Sequence, residues 1–261
     1  MRVALVGLAV FAVVSTGSSA VAGPPASGRV VIVHGVRGLV ANVDVDGNRV
    51  LSGFQPERTS DPLTLPAGQH ALVLRRANDP AAAPVLQRQL TVRAGSVESA
   101  ALGLTAAGQP ALTVFDDRGS AVPVGRARLV VRHIAAGPAV HVTVDGRPLG
   151  SLIGPGSQQA SVDLAAGSHP IAVTAANGAP VLAPQAVPLR AGRVTTLYLI
   201  GSVPSGTLTW LARISDTGDL RGVPTGTDGL AADRGLPQRP VLALLLLLPF
   251  LAVLSLRRRH R

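Results

Sequence analysis

Apolar and polar positions alternate in short runs through the middle of the chain. Ala41, Val43 and Val45 alternate with Asn42, Asp44 and Asp46, and Val140, Val142 and Val144 alternate with His141, Thr143 and Asp145. A period of two places successive side chains on opposite faces, so these runs predict half-buried strands. Each run ends at an Asp-Gly pair, Asp46-Gly47 and Asp145-Gly146. Gly takes the positive φ of a tight hairpin turn and Asp bonds its own backbone there. Ala67-Gly68 and Ala166-Gly167 are expected to turn the chain in the same way. Seven or eight short strands in roughly 90 residues, with a turn signal about every eight to twelve, predict an immunoglobulin-like β-sandwich.

The pattern occurs twice. His34 recurs as His133, Asp46-Gly47 as Asp145-Gly146, and Leu65 to His70 (LPAGQH) as Leu164 to His169 (LAAGSH), all at an offset of 99. Further on, Arg93-Ala94-Gly95 recurs as Arg190-Ala191-Gly192, and Leu112-Thr113 matches Leu208-Thr209, at offsets of 97 and 96. Small loop deletions account for the drift. Two modules follow, residues 29–117 and 127–214, joined by a linker at 118–126. A period this long predicts a tandem of domains, each with its own core and each folding independently.

The patterning changes at both ends. Arg2, the apolar run Val3 to Val14 and a small-residue stretch ending Ala20-Val21-Ala22 form the three parts of a secretory signal peptide, residues 1–22. Cleavage after Ala22 would leave a short mature segment, 23–28, before the first module. Residues 215–240 are rich in Gly, Asp, Thr and Pro without an apolar period, and read as a flexible stalk. Val241 to Leu256 is apolar throughout and is followed by Arg257, Arg258, Arg259, His260 and Arg261. This predicts a transmembrane helix over 241–256 with a cytoplasmic Arg-rich tail at 257–261. The segment Leu236-Pro237-Gln238-Arg239-Pro240 stands where a cell-wall sorting motif would, but lacks the Thr-Gly that a sortase cleaves, which favours a permanent anchor. The fold class expected is therefore all-β: two tandem immunoglobulin-like β-sandwich modules plus one C-terminal transmembrane helix. The lipid bilayer is the partner of the span.

Charge belongs largely to topology. The net charge is +10, and all 24 basic residues are Arg. Five of them lie in the leader and tail, leaving 19 Arg against 14 acids, scattered without a basic helix or interleaved aromatics. That excludes nucleic acid as the expected partner. The absence of Cys excludes a disulfide framework and a thiolate site.

The ordered set RVVIVHG, VDVDG, LPAGQH and RAG, present twice between about Arg29 and Arg213, resembles the bacterial domain of unknown function 4397 (DUF4397). The resemblance implies an exported envelope module, often in tandem and often ahead of a C-terminal anchor, with a β-sandwich fold and no catalytic residues to carry over. The family usually continues from its His through Ala-x-Pro-Asp, whereas His34 is followed here by GVRGLVA and His133 by IAAGPAV.

The side chains best suited to chemistry are four histidines: His34 and His70 in the first module, His133 and His169 in the second. As a metal site they would need a carboxylate such as Asp46 or Asp145, whose outward phase points it away. All four instead sit on core rows, where a histidine fixes a strand end by bonding loop backbone through one ring nitrogen. The adjacent acids Asp116-Asp117 read as a solvated turn. No nucleophile elbow, HExxH run or phosphate-cradling Gly loop occurs. No catalytic residue, cofactor or metal is therefore expected, and the chain reads as a non-enzymatic cell-surface protein. Its modules would bind or space an unknown envelope or extracellular partner; the alternative is an envelope enzyme or a metal-binding module built on the four histidines.

Overall fold

The computed structural model describes residues 26–158 and 161–216, all within one compact unit. The expected signal peptide, transmembrane helix and Arg-rich tail, and nearly all of the stalk, lie outside the described residues. Every regular element within them is a β-strand.

The first nine strands are β1 (Ser27–His34), β2 (Ala41–Val45), β3 (Asn48–Phe54), β4 (Arg58–Thr59), β5 (Leu63–Pro66), β6 (Gly68–Arg76), β7 (Leu86–Val92), β8 (Val97–Leu104) and β9 (Pro110–Asp116). They form two sheets, one ordered β4-β1-β8-β9 with β5 also on β1, the other β3-β2-β6-β7. β1 and β8 run parallel, and the remaining pairs are antiparallel. The next nine repeat the scheme: β10 (Arg126–His133), β11 (Val140–Val144), β12 (Arg147–Pro148), β13 (Ser157–Gln158), β14 (Val162–Ala165), β15 (Gly167–Ala175), β16 (Pro180–Leu189), β17 (Arg193–Ile200) and β18 (Thr209–Asp216). Their sheets are ordered β13-β10-β17-β18, with β14 on β10, and β12-β11-β15-β16.

The alternating rows pack between the sheets of each set. Val30, Ile32, Ala41, Val43, Leu72, Leu74 and Leu90 are central to the first core. Leu129, Val131, Val140, Val142, Ile171 and Val173 hold the equivalent places in the second. The Asp-Gly turns form as predicted, with Asp46 at φ 51 and Gly47 at φ 79, and Asp145 at φ 53 and Gly146 at φ 73. The Ala-Gly pairs do something different. β5 belongs to the β1 sheet and β6 to the opposite one, so Ala67-Gly68 is a corner at which the chain changes sheets, as is Ala166-Gly167.

The strand register also corrects the late repeat match. Leu112 pairs with Leu102 and Trp210 with Leu199, so Trp210, not Leu208, stands in the place of Leu112.

The two sets are not separate beads. Val31, Val33, Ala101 and Phe115 from the first pack with Ile134, Tyr198, Ile200 and Leu211 from the second in a third apolar core. β1 is consequently buried on both faces, Val30 and Ile32 toward its own sandwich and Val31 and Val33 toward the other set. A strand covered on both sides needs a continuous apolar run, which is what Val30 to Val33 supplies. Each set thus has its own core, and the two are joined by a shared third one.

Candidate functional site

The histidines fall into two chemical classes, each present once per module. His34 and His133 end β1 and β10 and are buried. His34 Nε2 donates to the Leu39 carbonyl at 2.9 Å, and its Nδ1 accepts from the Val36 N–H at 3.4 Å. His133 does the same with the Pro138 carbonyl at 3.2 Å and the Ala135 N–H at 3.2 Å. One donor and one acceptor fit a neutral ring. Burial disfavours the charged form and holds both histidines below their usual value, against a smaller upward pull from the carbonyl bond.

His70 and His169 are bound differently. His70 Nδ1 lies 2.6 Å from Asp46 Oδ2, and its Nε2 lies 2.8 Å from the Pro66 carbonyl. His169 makes the same pair of bonds to Asp145 Oδ2 at 2.7 Å and to the Ala165 carbonyl at 3.0 Å. Both nitrogens face acceptors, and both contacts are hydrogen bonds only when the ring carries two hydrogens, so the site favours the charged form. The carboxylate bond is the main cause raising each of these histidines, with the backbone carbonyl adding to it. Asp46 is lowered in turn, by His70 first and then by the Ala71 N–H, which donates to its Oδ1 at 2.8 Å.

The outward phase expected for Asp46 and Asp145 is thus overturned. The positive φ at the turn brings each carboxylate back over the neighbouring strand, onto the histidine that follows the sheet-changing corner. The two motifs that recur at offset 99, Asp-Gly and x-x-Ala-Gly-x-His, are the two halves of one clamp. It ties the β2 hairpin to the corner between sheets. None of the eight ring nitrogens points to an unfilled position, and no group of three His, Asp or Glu side chains converges among the described residues.

A pH dependence follows from the two classes. His34 and His133, lowered in the fold, contribute stability that is complete above about pH 6.5. It is lost as pH falls through their lowered values. His70 and His169, raised in the fold, contribute stability that is complete below about pH 6.5 and lost as pH rises through their raised values. Urea midpoints of the wild type minus those of His70→Gln/His169→Gln should therefore shrink on the alkaline side of neutrality. A difference constant from pH 5 to 9 would contradict the charged-ring assignment.

A buried polar network lies between the modules and corrects the expectation of a solvated turn at Asp116-Asp117. Asp117 is no solvated turn residue: its side chain is 3% exposed and faces Arg132, itself 2% exposed, at 2.7 Å. Arg132 also donates to Tyr198 Oη at 2.8 Å, to Gln158 Oε1 at 2.7 Å and to the Asp116 carbonyl at 3.3 Å. Its guanidinium lies 4.5 Å from the Phe115 ring centre and 5.5 Å from that of Tyr198. Tyr198 Oη donates to Ser99 Oγ at 2.9 Å, Ser99 Oγ donates to Asp117 Oδ2 at 2.5 Å, and Arg213 reaches the same oxygen at 3.3 Å. Asp116, by contrast, is exposed and forks onto Arg118. The sequence signal available for Asp117 was the long apolar or small run in β8, Ala100 to Leu104, which left no outward polar face for the strand beside it.

These features define an all-β protein of paired two-sheet sandwiches in which two histidines are held by loop backbone, two by aspartates, and Asp117 by Arg132. A family model described as a domain of unknown function (DUF4397) matches residues 28–143. The match spans the first nine strands, the linker and the start of the second set, and it supports the resemblance carried by RVVIVHG, VDVDG and LPAGQH. No curated protein matches the chain.

Proposed function

We propose that this is a non-enzymatic bacterial cell-surface protein of the DUF4397 type. Two tandem immunoglobulin-like modules are displayed outside the membrane, exported by residues 1–22 and held by a span at 241–256, and they bind or space an envelope or extracellular partner. The observation that carries this reading is the buried Asp117–Arg132–Tyr198–Ser99 network between the modules. It ties the two modules together through buried bonds, an arrangement suited to presenting a binding surface. The paired histidines support it too, since the rings of His34, His70, His133 and His169 are each committed to structural bonds.

Expression with a C-terminal tag, followed by fractionation and protease treatment of intact cells, tests display. The expected result is a membrane-bound product whose mature chain begins at Gly23 and whose displayed part is removed by protease added to intact cells, leaving the C-terminal tag with the membrane. A soluble cytoplasmic product retaining Met1 would overturn the reading. Immobilised residues 23–234 should then retain a component of a purified envelope fraction if the modules bind, and none if they act as a spacer.

A further inference from the structure

The two modules align without a gap at offset 99 from Val43/Val142 to Gly68/Gly167, so departures between them are local and interpretable. One departure changes the edge of the sandwich. In the first module Asn48-Arg49-Val50-Leu51 opens β3, which stays on β2 as far as the pairing of Phe54 with Ala41. Val50, Leu51 and Phe54 pack onto the core from there. In the second module the same positions read Arg147-Pro148-Leu149-Gly150. Pro148 has no N–H to give a ladder, and Gly150 takes φ 71, so β12 ends after two residues. The chain rejoins β11 only at a lone bridge between Ile153 and Val140.

The position of Leu51 has thereby lost its side chain, and that of Leu63 has become the smaller Val162. Between β11, β12 and β14 an open cleft of about 450 Å³ remains, with Val144, Leu149, Val162 and Leu164 as its apolar wall. Asp145, Arg147 and Pro148 complete the lining. Asp145 Oδ2 is already bonded to His169 Nδ1 at 2.7 Å. The Arg147 side chain makes no hydrogen bond or ion pair among the described residues. Its counterpart Asn48 bonds the turn carbonyl of Asp46.

We propose that this cleft, in the second module alone, binds a single-chain anionic amphiphile. The acyl chain lies along Val144, Leu149, Val162 and Leu164, and the carboxylate or phosphate head meets Arg147. The volume falls in the range of small-molecule sites, and the wall is apolar beside two charged residues, Asp145, held by His169, and Arg147, whose guanidinium is left to fix the direction of an anionic amphiphile. A neutral apolar ligand would leave Arg147 without a role, and a short anion would leave the apolar wall empty. The site extends the binding role above to a ligand class and is independent of where the protein is displayed.

The test is titration of residues 23–234 with decanoate below its micelle concentration, followed by calorimetry or amide NMR, with decanol and butyrate as comparison probes. Decanoate is expected to saturate one site. Val162→Phe, which fills the cleft, should weaken it by about tenfold or more, a change of about 1.4 kcal/mol. Arg147→Ala should weaken decanoate several-fold and leave decanol unchanged. Arg147 is exposed, so that variant carries the test even if Val162→Phe does not fold, as thermal unfolding would reveal. Absence of saturable decanoate binding, or binding that is indifferent to Arg147→Ala, would overturn the proposal. Because decanoate binding needs no cell, its failure leaves the display experiment untouched.

Discussion

Asp117→Ala is expected to lower the unfolding free energy of the module pair by about 3–5 kcal/mol, the usual cost of removing one partner from a buried ion pair. The penalty comes less from the lost attraction than from what is left behind. Arg132, 2% exposed, would keep its charge in the interface with only Tyr198, Gln158 and a backbone carbonyl as neutral partners. Ser99 would lose the acceptor that orients its hydroxyl. Asp117→Asn keeps the shape and one acceptor and should cost less. The double variant Asp117→Ala/Arg132→Met removes both charges and should recover part of the loss, because a buried pair replaced by apolar groups is often near neutral. Urea denaturation of the four proteins measures this. Additive losses in the double variant would mean that the two side chains do not act on each other.

The same network explains what the sequence did and did not reveal. Strands buried on one face, such as β2 and β11, announce themselves because alternation is the direct imprint of one wet and one dry side. The Asp-Gly turns announce themselves because the positive φ they require is tolerated by few residues. β1 and β8 carry the second kind of evidence, an unbroken apolar or small run, and that pattern says only that both faces are covered, not by what. The covering surface is nearly a hundred residues away, as in the bond from Tyr198 to Ser99. Asp117 was opaque for this reason. An acid at a strand end beside Arg118 and Gly119 has every local mark of a solvated turn, and only the arrival of β10 buries it.

The histidine clamps lay between these extremes. Both halves of each were visible as motifs repeated at constant offset, and their joint recurrence was the available clue that Asp46 and His70 meet. Periodicity argued against it, because it assigns Asp46 to the solvent row of β2. A residue at φ 51 has left the strand, however, and its side chain no longer obeys the strand's phase.

Gly103 gives the second large effect, and here two expectations oppose each other. It sits inside β8, where glycine is a poor strand residue and a β-branched replacement would ordinarily gain up to about 1 kcal/mol. Its place in the second module is held by Ile200, so the repeat itself recommends a large side chain. The interface decides otherwise. A Cβ at 103 would lie 2.5 Å from the Ile134 carbonyl oxygen and 2.6 Å from Ile134 Cβ. That oxygen accepts the Leu104 N–H at 2.8 Å, and the Ile134 N–H is held by Leu199 at 3.0 Å, so the obstructing backbone is fixed on both sides. Small residues on β8, Ser99, Ala101 and Gly103, are the hollows into which Tyr198 and Ile200 of β17 and the Ile134 backbone fit. Gly103→Ala and Gly103→Val should both destabilise, by about 1–3 kcal/mol or more. Most of the loss should already be present in the alanine variant, because the Cβ is what collides. Hydrogen exchange of the Leu104 amide should accelerate in step with the shift in urea midpoint. A valine variant as stable as the wild type would mean that the modules separate here at little cost, and that the shared core contributes far less to stability than its burial implies.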